Sequence, residues 1–407
     1  MRALFVNHYA APPADAGGTR HFGFANEMIR AGDEVSILAC AFDHFTHSQR
    51  GASWRPAIEH HAQVPFVWVP SVRYEKNDWR RLANMLVFSL RMALPDVRRL
   101  ISRPDIIMGS TPHPFAAMAA AHLARSYRVP FVLEVRDLWP ESLVALGGFT
   151  PGHPAVKMLA AVERFLYRHA DAIVTLFPGA GPRFASSGVD LSNVVFVPNG
   201  VNLRMAGPPS PARGHNGIEV VYAGSMGPPN ALDTVIDAAS LLRHRPDIRI
   251  TLVGDGEDKA KLKQRVTAEH LTNVSFRSPV AKAEVYDLLR SADVLTMAMQ
   301  STDLYSRYGM SSNKLWDYMA VARPIAIANA ASPDYVAEAG AGLSVPAGDG
   351  RELGLAIGRL ADMSPQRRWE MGKRGRIYVE RERSFEVLTA TLREALLNQV
   401  QRRKCDQ

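Results

Sequence analysis

The sequence predicts an α/β protein of two doubly wound domains, each a parallel sheet covered by helices on both faces. With 407 residues, 47% of them hydrophobic, the chain is long enough for two or three domains with large cores. Short apolar runs without polar alternation recur between helical patterns, which is typical of strands buried on both faces. This alternation of strands and helices is interrupted once, by a segment rich in Pro and Gly, and then resumes.

The first domain is predicted to span 1–204. An apolar run at 3–7 indicates its first strand, and a long loop and a helix over 19–31 follow. The remaining strands of this domain are expected at 34–39, 64–69, 106–108, 131–135, 172–175 and 194–197.

Residues 205–217, with three Pro and three Gly, are predicted to be a linker. The second domain is predicted over 218–380, with strands at 219–222, 249–253, 274–276, 294–297, 324–328 and 343–345. The end, 381–407, is predicted as an amphipathic helix over 383–397, able to pack back on the first domain, and a polar tail. Ligands of open α/β sheets bind beyond the carboxyl ends of the strands, so we expect the two domains to face a binding cleft.

Composition narrows the cellular setting. Two cysteines, Cys40 and Cys405, exclude a disulfide framework and a multi-cysteine metal site, and favour the cytoplasm. The N-terminus runs directly into a strand, so no secretory signal is expected, and no apolar run approaches the ~20 residues of a membrane span. The net charge of +8 indicates an anionic partner: a phosphorylated substrate or an anionic membrane surface. Nothing resembles a nucleic-acid-binding module, so nucleic acid is not expected.

Three glycine-containing turns follow predicted strands. Gly17-Gly18 precedes a helix, Gly224-Ser225 follows the first strand of the second domain, and Gly254-Asp255-Gly256 follows its second strand. Glycines let a backbone approach a ligand, and a helix N-terminus attracts phosphate, although each segment also fits a plain turn. The third lacks the last glycine and the downstream acid of the dinucleotide fingerprint, so we predict no NAD site.

Charged residues crowd the end of the strand predicted at 131–135. Glu134, Arg136 and Asp137 occur there, and Trp139-Pro140 follows. Charges at the carboxyl end of a buried strand are costly unless they serve a ligand or pair with each other. Both readings stay open: a functional site, or an Arg136–carboxylate ion pair that braces the loop.

A second polar cluster opens a helix after the strand predicted at 294–297. Ser311 and Ser312 can cap this helix, and Lys314 lies in its first turn, where a cation opposes the helix dipole unless an anion is bound. Asn313 and Asp317 lie on the same helical face as Lys314. This pattern indicates an anion site, or else a solvated face.

Together these motifs resemble the retaining GT-B glycosyltransferases of family four. The resemblance covers nearly the whole chain in the family's order. It comprises the Gly-Gly loop, Val197-Pro-Asn-Gly-Val201, Tyr222-Ala-Gly224, Val253-Gly-Asp-Gly256, Ala292-Asp-Val294, Lys314-Leu-Trp-Asp-Tyr-Met-Ala320 and Gly340-Ala-Gly-Leu-Ser-Val-Pro-Ala-Gly-Asp349. The Arg136-Asp-Leu-Trp-Pro140 segment is most similar to the bacterial branch that includes the N-acetyl-L-fucosamine transferases of surface-polysaccharide assembly.

The chain departs from the family at three places. Arg136 stands where many members have the histidine that meets the donor sugar. Gly309 and Asp317 occupy the two glutamate positions of the Glu-x7-Glu motif, and the basic residues that commonly follow Gly224 are absent. The resemblance therefore leaves the donor diphosphate to Lys314, backbone N–H groups and Arg20.

The resemblance implies transfer of a sugar from a nucleotide-diphosphate donor, UDP-linked, to a lipid-linked or oligosaccharide acceptor in lipopolysaccharide or capsule biosynthesis. Asp137, Lys314 and Arg136 are the catalytic candidates, and no metal or other cofactor is expected. The donor-binding candidates are Gly17, Gly18, Gly224, Ser225, Gly254, Ser312, Asn313 and Asp317. A GT-B sugar-nucleotide epimerase and a non-catalytic partner of a glycan synthase complex are the alternatives.

Residues 71–103 predict a contact with an anionic membrane. They carry eight Lys and Arg against three acidic residues, around an apolar run at 82–90 that is too short to span a bilayer. Such a helix, with Trp79 and flanking cations, suits the surface of an anionic bilayer, and the alternative is a helix packed on the sheet. We therefore expect a cytoplasmic protein, peripheral on the inner face of the membrane.

Overall fold

The computed structural model describes residues 1–15, 18–44, 46–51, 54–75, 78–111, 113–211 and 217–405. The chain forms two compact units: the first unit is Met1–Pro198 with Phe385–Gln407, and the second unit is Asn199–Ser384. The division lies before the Pro- and Gly-rich segment because Val201 and Ala206 are already buried in the core of the second unit.

The first unit contains an eight-stranded sheet in the order β3-β4-β2-β1-β5-β6-β7-β8. Its strands are β1 (Arg2–Val6), β2 (Glu34–Cys40), β3 (Ala57–His61), β4 (Val64–Val69), β5 (Ile106–Ser110), β6 (Phe131–Val135), β7 (Ala172–Thr175) and β8 (Val194–Phe196). Its helices are α1 (Arg20–Arg30), α2 (Trp79–Arg91), α3 (Pro95–Arg98), α4 (Pro114–Tyr127), α5 (Glu141–Gly147), α6 (Pro154–His169), α7 (Gly181–Ser186) and α17 (Phe385–Cys405).

The second unit contains a six-stranded, fully parallel sheet in the order β11-β10-β9-β12-β13-β14. Its strands are β9 (Ile218–Ala223), β10 (Ile248–Val253), β11 (Val274–Arg277), β12 (Val294–Ala298), β13 (Ile325–Asn329) and β14 (Gly342–Pro346). Its helices are α8 (Leu203–Ala206), α9 (Asp233–Leu241), α10 (Lys259–Ala268), α11 (Lys282–Ser291), α12 (Asp303–Tyr308), α13 (Asn313–Ala320), α14 (Tyr335–Ala339), α15 (Gly350–Asp362) and α16 (Pro365–Glu382).

The predicted α/β class with parallel sheets is confirmed. Every residue of β5, β6, β12 and of the first four positions of β13 is buried, as expected for strands covered on both faces. One strand was not predicted: β3, whose residues are mostly exposed and lack an apolar run. It forms because it pairs antiparallel with β4 at the edge of the sheet, where only one backbone edge needs a partner.

Helix α17 belongs to the first unit and extends beyond its predicted end at Leu397. Leu388, Leu392 and Leu396 join the core that covers β1 and β2, and the Phe385 ring packs edge-on against Phe24. The segment predicted as a polar tail is helical to Cys405. Its helical conformation is explained by Val400, which is buried in the same core.

An ion-pair cluster fastens α17 to the start of the chain. The Asp33 carboxylate accepts hydrogen bonds from Arg393 Nε at 2.6 Å and from the Met1 ammonium at 2.8 Å. Burial opposes the charged form, but these two cations outweigh it and hold the pKa of Asp33 below its ordinary value.

Over the described ranges, no helix has the length and hydropathy needed to cross a membrane.

Candidate functional site

Lys314 is held at the carboxyl edge of the sheet in the second unit. Helix α13 places it beside the end of β9, where Tyr318 of the same helix bonds the backbone N–H of Ala223 at 2.7 Å. Lys314 Nζ donates to Tyr222 Oη at 2.7 Å and to Asn230 Oδ1 at 2.8 Å. Both partners are neutral oxygens, and burial lowers the pKa of Lys314 to about 7.

Gly224 lies directly against this lysine, and Gly254 lies against Gly224. A Cβ atom on Gly224 would come within 2.5 Å of Lys314 Cε and 2.9 Å of Nζ, so only glycine leaves room for the ammonium. A Cβ on Gly254 would overlap the Gly224 carbonyl oxygen, which shows that the turns after β9 and β10 touch. Ser225 is exposed, and its carbonyl oxygen accepts from the Tyr222 hydroxyl. The structure thus brings Gly224, Gly254 and Lys314 together.

The start of α13 keeps backbone N–H groups available. Ser312 is its N-cap residue but makes no side-chain capping bond, and Asn313 is exposed. Ser311, expected to cap the helix, instead accepts the backbone N–H of Asn199 on its Oγ at 2.7 Å. An anion can therefore meet the uncapped N–H groups of this eight-residue helix.

Asp317 lies one turn after Lys314, and one of its carboxylate oxygens accepts a hydrogen bond within the second unit. Its Oδ1 atom accepts a hydrogen bond from Tyr286 of α11 at 2.7 Å. Sequence reasoning missed this phenol, which lies in the core. It also missed Lys259, whose Nζ donates to the Gly254 carbonyl oxygen at 2.6 Å and adds a second cation at this edge. A lysine opening the helix directly after the Gly254 turn was the available signal.

In the first unit, Arg136 and Asp137 lie in a hydrogen-bonded turn directly after β6. The Thr111 hydroxyl accepts the backbone N–H of Arg136 at 2.9 Å and lies 3.4 Å from that of Asp137. Burial raises the pKa of Asp137, against the opposing charge of Arg136. A Cβ on Gly18 would lie 3.7 Å from Arg136 Nη2, so these two predicted residues are neighbours, whereas Gly17 lies outside the described residues.

Glu134, the first of the three charged residues at the end of β6, pairs with Arg20 of α1. Glu134 is fully buried and bonds Arg20 Nε at 2.7 Å and the Ser110 hydroxyl at 2.6 Å, and it lies 2.8 Å from His21 Nε2. Arg20 also donates to the carbonyl oxygens of Val197, at 2.7 Å, and of Pro198. The assignment of Arg20 to the donor diphosphate is therefore wrong: its guanidinium is buried and joins α1, β6 and the end of β8.

An open pocket lies beyond β1 and β2 in the first unit. Its polar lining includes Tyr9, Asp15, His44 and Arg50. His8 also lines the pocket: Nε2 bonds Asn84 Oδ1 at 2.7 Å, while the buried Nδ1 atom has no hydrogen-bond partner among the described residues. The Asp15 carboxylate and the Arg50 guanidinium form an ion pair with each other. Together with the imidazole and the phenol, this pair offers both donors and acceptors to a ligand rich in hydroxyl groups.

Two protein-family models match the chain. Residues 17–200 match the model described as a glycosyl transferase 4-like domain, and residues 217–363 match the model of glycosyl transferases group 1. A relative in Escherichia coli, described as the colanic acid biosynthesis glycosyl transferase WcaI, is 25% identical over 279 residues, which are 65% of this chain and 68% of the relative.

Solved structures resemble the whole chain. Sucrose-phosphate synthase of Thermosynechococcus elongatus has a TM-score of 0.75 at 16% identity, covering 98% of this chain and 99% of the synthase. Anabaena HepE, solved in complex with UDP-glucose, has a TM-score of 0.69 at 15% identity, covering 98% of this chain and 100% of HepE. At such identities the likeness shows the fold alone.

Proposed function

Because the chain is a glycosyltransferase with the two-domain GT-B fold, we propose that it transfers a sugar from a UDP-linked donor, with retention at the anomeric carbon, to a lipid-linked or oligosaccharide acceptor. HepE was solved with UDP-glucose, which supports the choice of nucleotide. The relative named for colanic acid biosynthesis supports a role in making cell-surface polysaccharide, in lipopolysaccharide or capsule.

The observation that carries the proposal is the environment of Lys314. Its ammonium is partly buried, bonded only to the neutral oxygens of Tyr222 and Asn230 among its described hydrogen bonds, and lies beside Gly224 at the start of α13. When the bond between the sugar and the diphosphate breaks, the electron pair stays on the phosphate oxygen. Lys314 and the uncapped N–H groups of α13 stabilise that charge without a divalent metal.

The first unit supplies the acceptor side in this proposal. Asp137 orients the acceptor hydroxyl, with Arg136 next to it, and the pocket beside Tyr9 and His44 takes a sugar of the acceptor. The hydroxyl attacks the anomeric carbon from the face that the diphosphate leaves. Its proton passes to the leaving phosphate oxygen, so the reaction needs no protein nucleophile.

Radiolabelled UDP-sugars, incubated with the protein and extracted bacterial lipids, test this activity. Label in the lipid or oligosaccharide fraction supports the transferase. An isomerised nucleotide sugar would instead identify the epimerase, which needs several acid–base groups around the sugar. With neither product, the non-catalytic partner becomes the better reading. The UDP-sugar that raises the melting temperature most should be tried first, because ligand binding stabilises the fold by mass action.

We also propose that α2 rests on the inner face of the cytoplasmic membrane. Its inner side buries Asn84 and Phe88, while Trp79 and Leu90 are each 72% exposed. Leu82 and Leu86 are exposed too, so an apolar stripe runs along the outer side of this helix. The alternative of a helix that packs all its apolar residues on the sheet does not account for this stripe. An anionic bilayer would cover the stripe and attract the flanking cations.

Flotation with anionic liposomes at low and high salt tests this contact. The informative variant is Trp79→Ser with Arg80→Glu, which should release the protein, since both side chains are exposed. Arg81 is left unchanged because its guanidinium lies 3.3 Å from the Tyr9 hydroxyl beside the pocket. Wild-type protein that stays unbound at low salt would refute the membrane proposal.

A further inference from the structure

Three helices of the first unit form a continuous layer: α4 packs between α2 and α6. The His113 ring at the start of α4 bonds the Met85 carbonyl oxygen of α2 at 3.1 Å, which fixes the first two helices to each other. Sequence reasoning considered only the segment around α2. The composition of all three helices points to a larger surface.

The layer is almost free of negative charge. Together α2, α4 and α6 contain seven Lys and Arg but a single carboxylate, Glu163. Glu163 accepts hydrogen bonds from Arg183 at 2.7 Å and from Tyr167 at 2.7 Å, so it is turned toward its own unit. The exposed charges of α6 are therefore Lys157, Arg164 and Arg168, all positive.

Helix α6 also exposes apolar side chains among these cations. Met158 is 47% exposed and Phe165, two turns later on the same side, is 37% exposed. This pattern repeats the arrangement of α2 on a second helix of the same layer. The described part of the second unit exposes far fewer large apolar side chains: Leu241, Leu355 and Ile377.

We propose that α6 is a second contact with the anionic lipid bilayer, so that the α2–α4–α6 layer docks on the membrane through two helices. Apolar side chains flanked by cations fit the boundary between headgroups and acyl chains of an anionic bilayer. A second copy of this chain is a poor occupant, because a symmetric contact would bring the five exposed cations of each layer together, namely Arg80, Arg125, Lys157, Arg164 and Arg168. Nucleic acid would leave the apolar side chains unused. The inference rests on the proposed membrane contact of α2.

The test is flotation with vesicles of phosphatidylcholine containing phosphatidylglycerol, compared with phosphatidylcholine alone. The α6 variant combines Lys157→Glu, Arg164→Glu and Arg168→Glu. Because each basic residue near an anionic surface contributes about a fivefold increase in partitioning, we expect this variant to partition about a hundredfold less. A variant with Met158→Ser and Phe165→Ser should also bind more weakly, without any change of charge.

A matched control changes the net charge equally in the second unit. Arg243→Glu, Arg351→Glu and Arg359→Glu alter three exposed cations there, and this control should float like the wild type. Unchanged binding of both α6 variants would overturn the inference while leaving the α2 contact intact. An equal loss in the control would reduce the effect to net charge and also overturn it. Wild-type protein that does not bind at all would refute both membrane contacts. Titration with a UDP-sugar in the absence of vesicles shows that each variant is folded.

Discussion

Binding of a UDP-sugar is expected to be coupled to protonation of Lys314. Without ligand, burial holds the pKa of Lys314 at about 7. A bound diphosphate places negative charge beside the ammonium, which favours the charged form and raises this pKa. The sign follows directly: the ligand prefers the protonated enzyme, so affinity falls as the pH rises through the pKa of the ligand-free lysine.

The magnitude follows from the ligand-free pKa. At pH 8 roughly one tenth of the ligand-free molecules carry the proton on Lys314, and at pH 6 roughly nine tenths do. Proton uptake per bound UDP-sugar should therefore approach about 0.9 at pH 8 and about 0.1 at pH 6. Affinity should weaken about tenfold between the two pH values. A UDP-sugar suits this experiment better than UDP, whose terminal phosphate itself titrates near neutral pH.

Isothermal titration calorimetry in buffers of different ionisation enthalpy measures this uptake. Lys314→Met should lose it together with most of the affinity, and its turnover should fall about a hundredfold or more, as on loss of one electrostatic partner of the leaving group. Lys314→Arg keeps a permanent charge and should bind without uptake. If Lys314→Met takes up as many protons as the wild type, the titrating group is elsewhere and the assignment of Lys314 is wrong.

Three further predictions concern other residues. Asp137→Asn should lower kcat by roughly 10²-fold or more with little change in UDP-sugar affinity, and an equal loss of both would remove Asp137 from the acceptor side. Gly224→Ala should displace the Lys314 ammonium and weaken UDP-sugar binding, whereas the control Gly227→Ala, whose Cβ meets only Ser225 Oγ at 3.9 Å, should not. Asp33→Asn should destabilise the fold at pH 7 by about 1–3 kcal/mol in urea unfolding. Because the Asp33 pKa is lowered, this difference in stability should be fully present at pH values above the ordinary pKa of 3.8 and shrink as the pH falls through the lowered pKa. A difference that remains when Asp33 is fully protonated would contradict the ion-pair account.

The order of the elements could be read from the sequence because buried parallel strands leave a local signal. A run such as Phe131–Val135 is apolar at all but one position, and the helices between such runs carry their own period. The glycine turns were also visible, since Gly224 and Gly254 each directly follow a strand. Local composition therefore determined the fold class and the loops that carry the candidate site. Strand β3 was not predicted because it forms through antiparallel pairing with β4 at the edge of the sheet and not through an apolar run of its own.

The partners of the charged residues were decided by tertiary structure. Lys314 meets Tyr222 and Asn230 across more than 80 positions of sequence, and Arg20 meets Glu134 across 114. A sequence shows that a charge is present but not which strand end faces it. Arg20 was therefore predicted to be a phosphate ligand, although it is a buried structural cation. The two sides of α2 illustrate the same limit. Helical periodicity cannot tell whether an apolar stripe faces a core or solvent, because that depends on which neighbouring elements cover it.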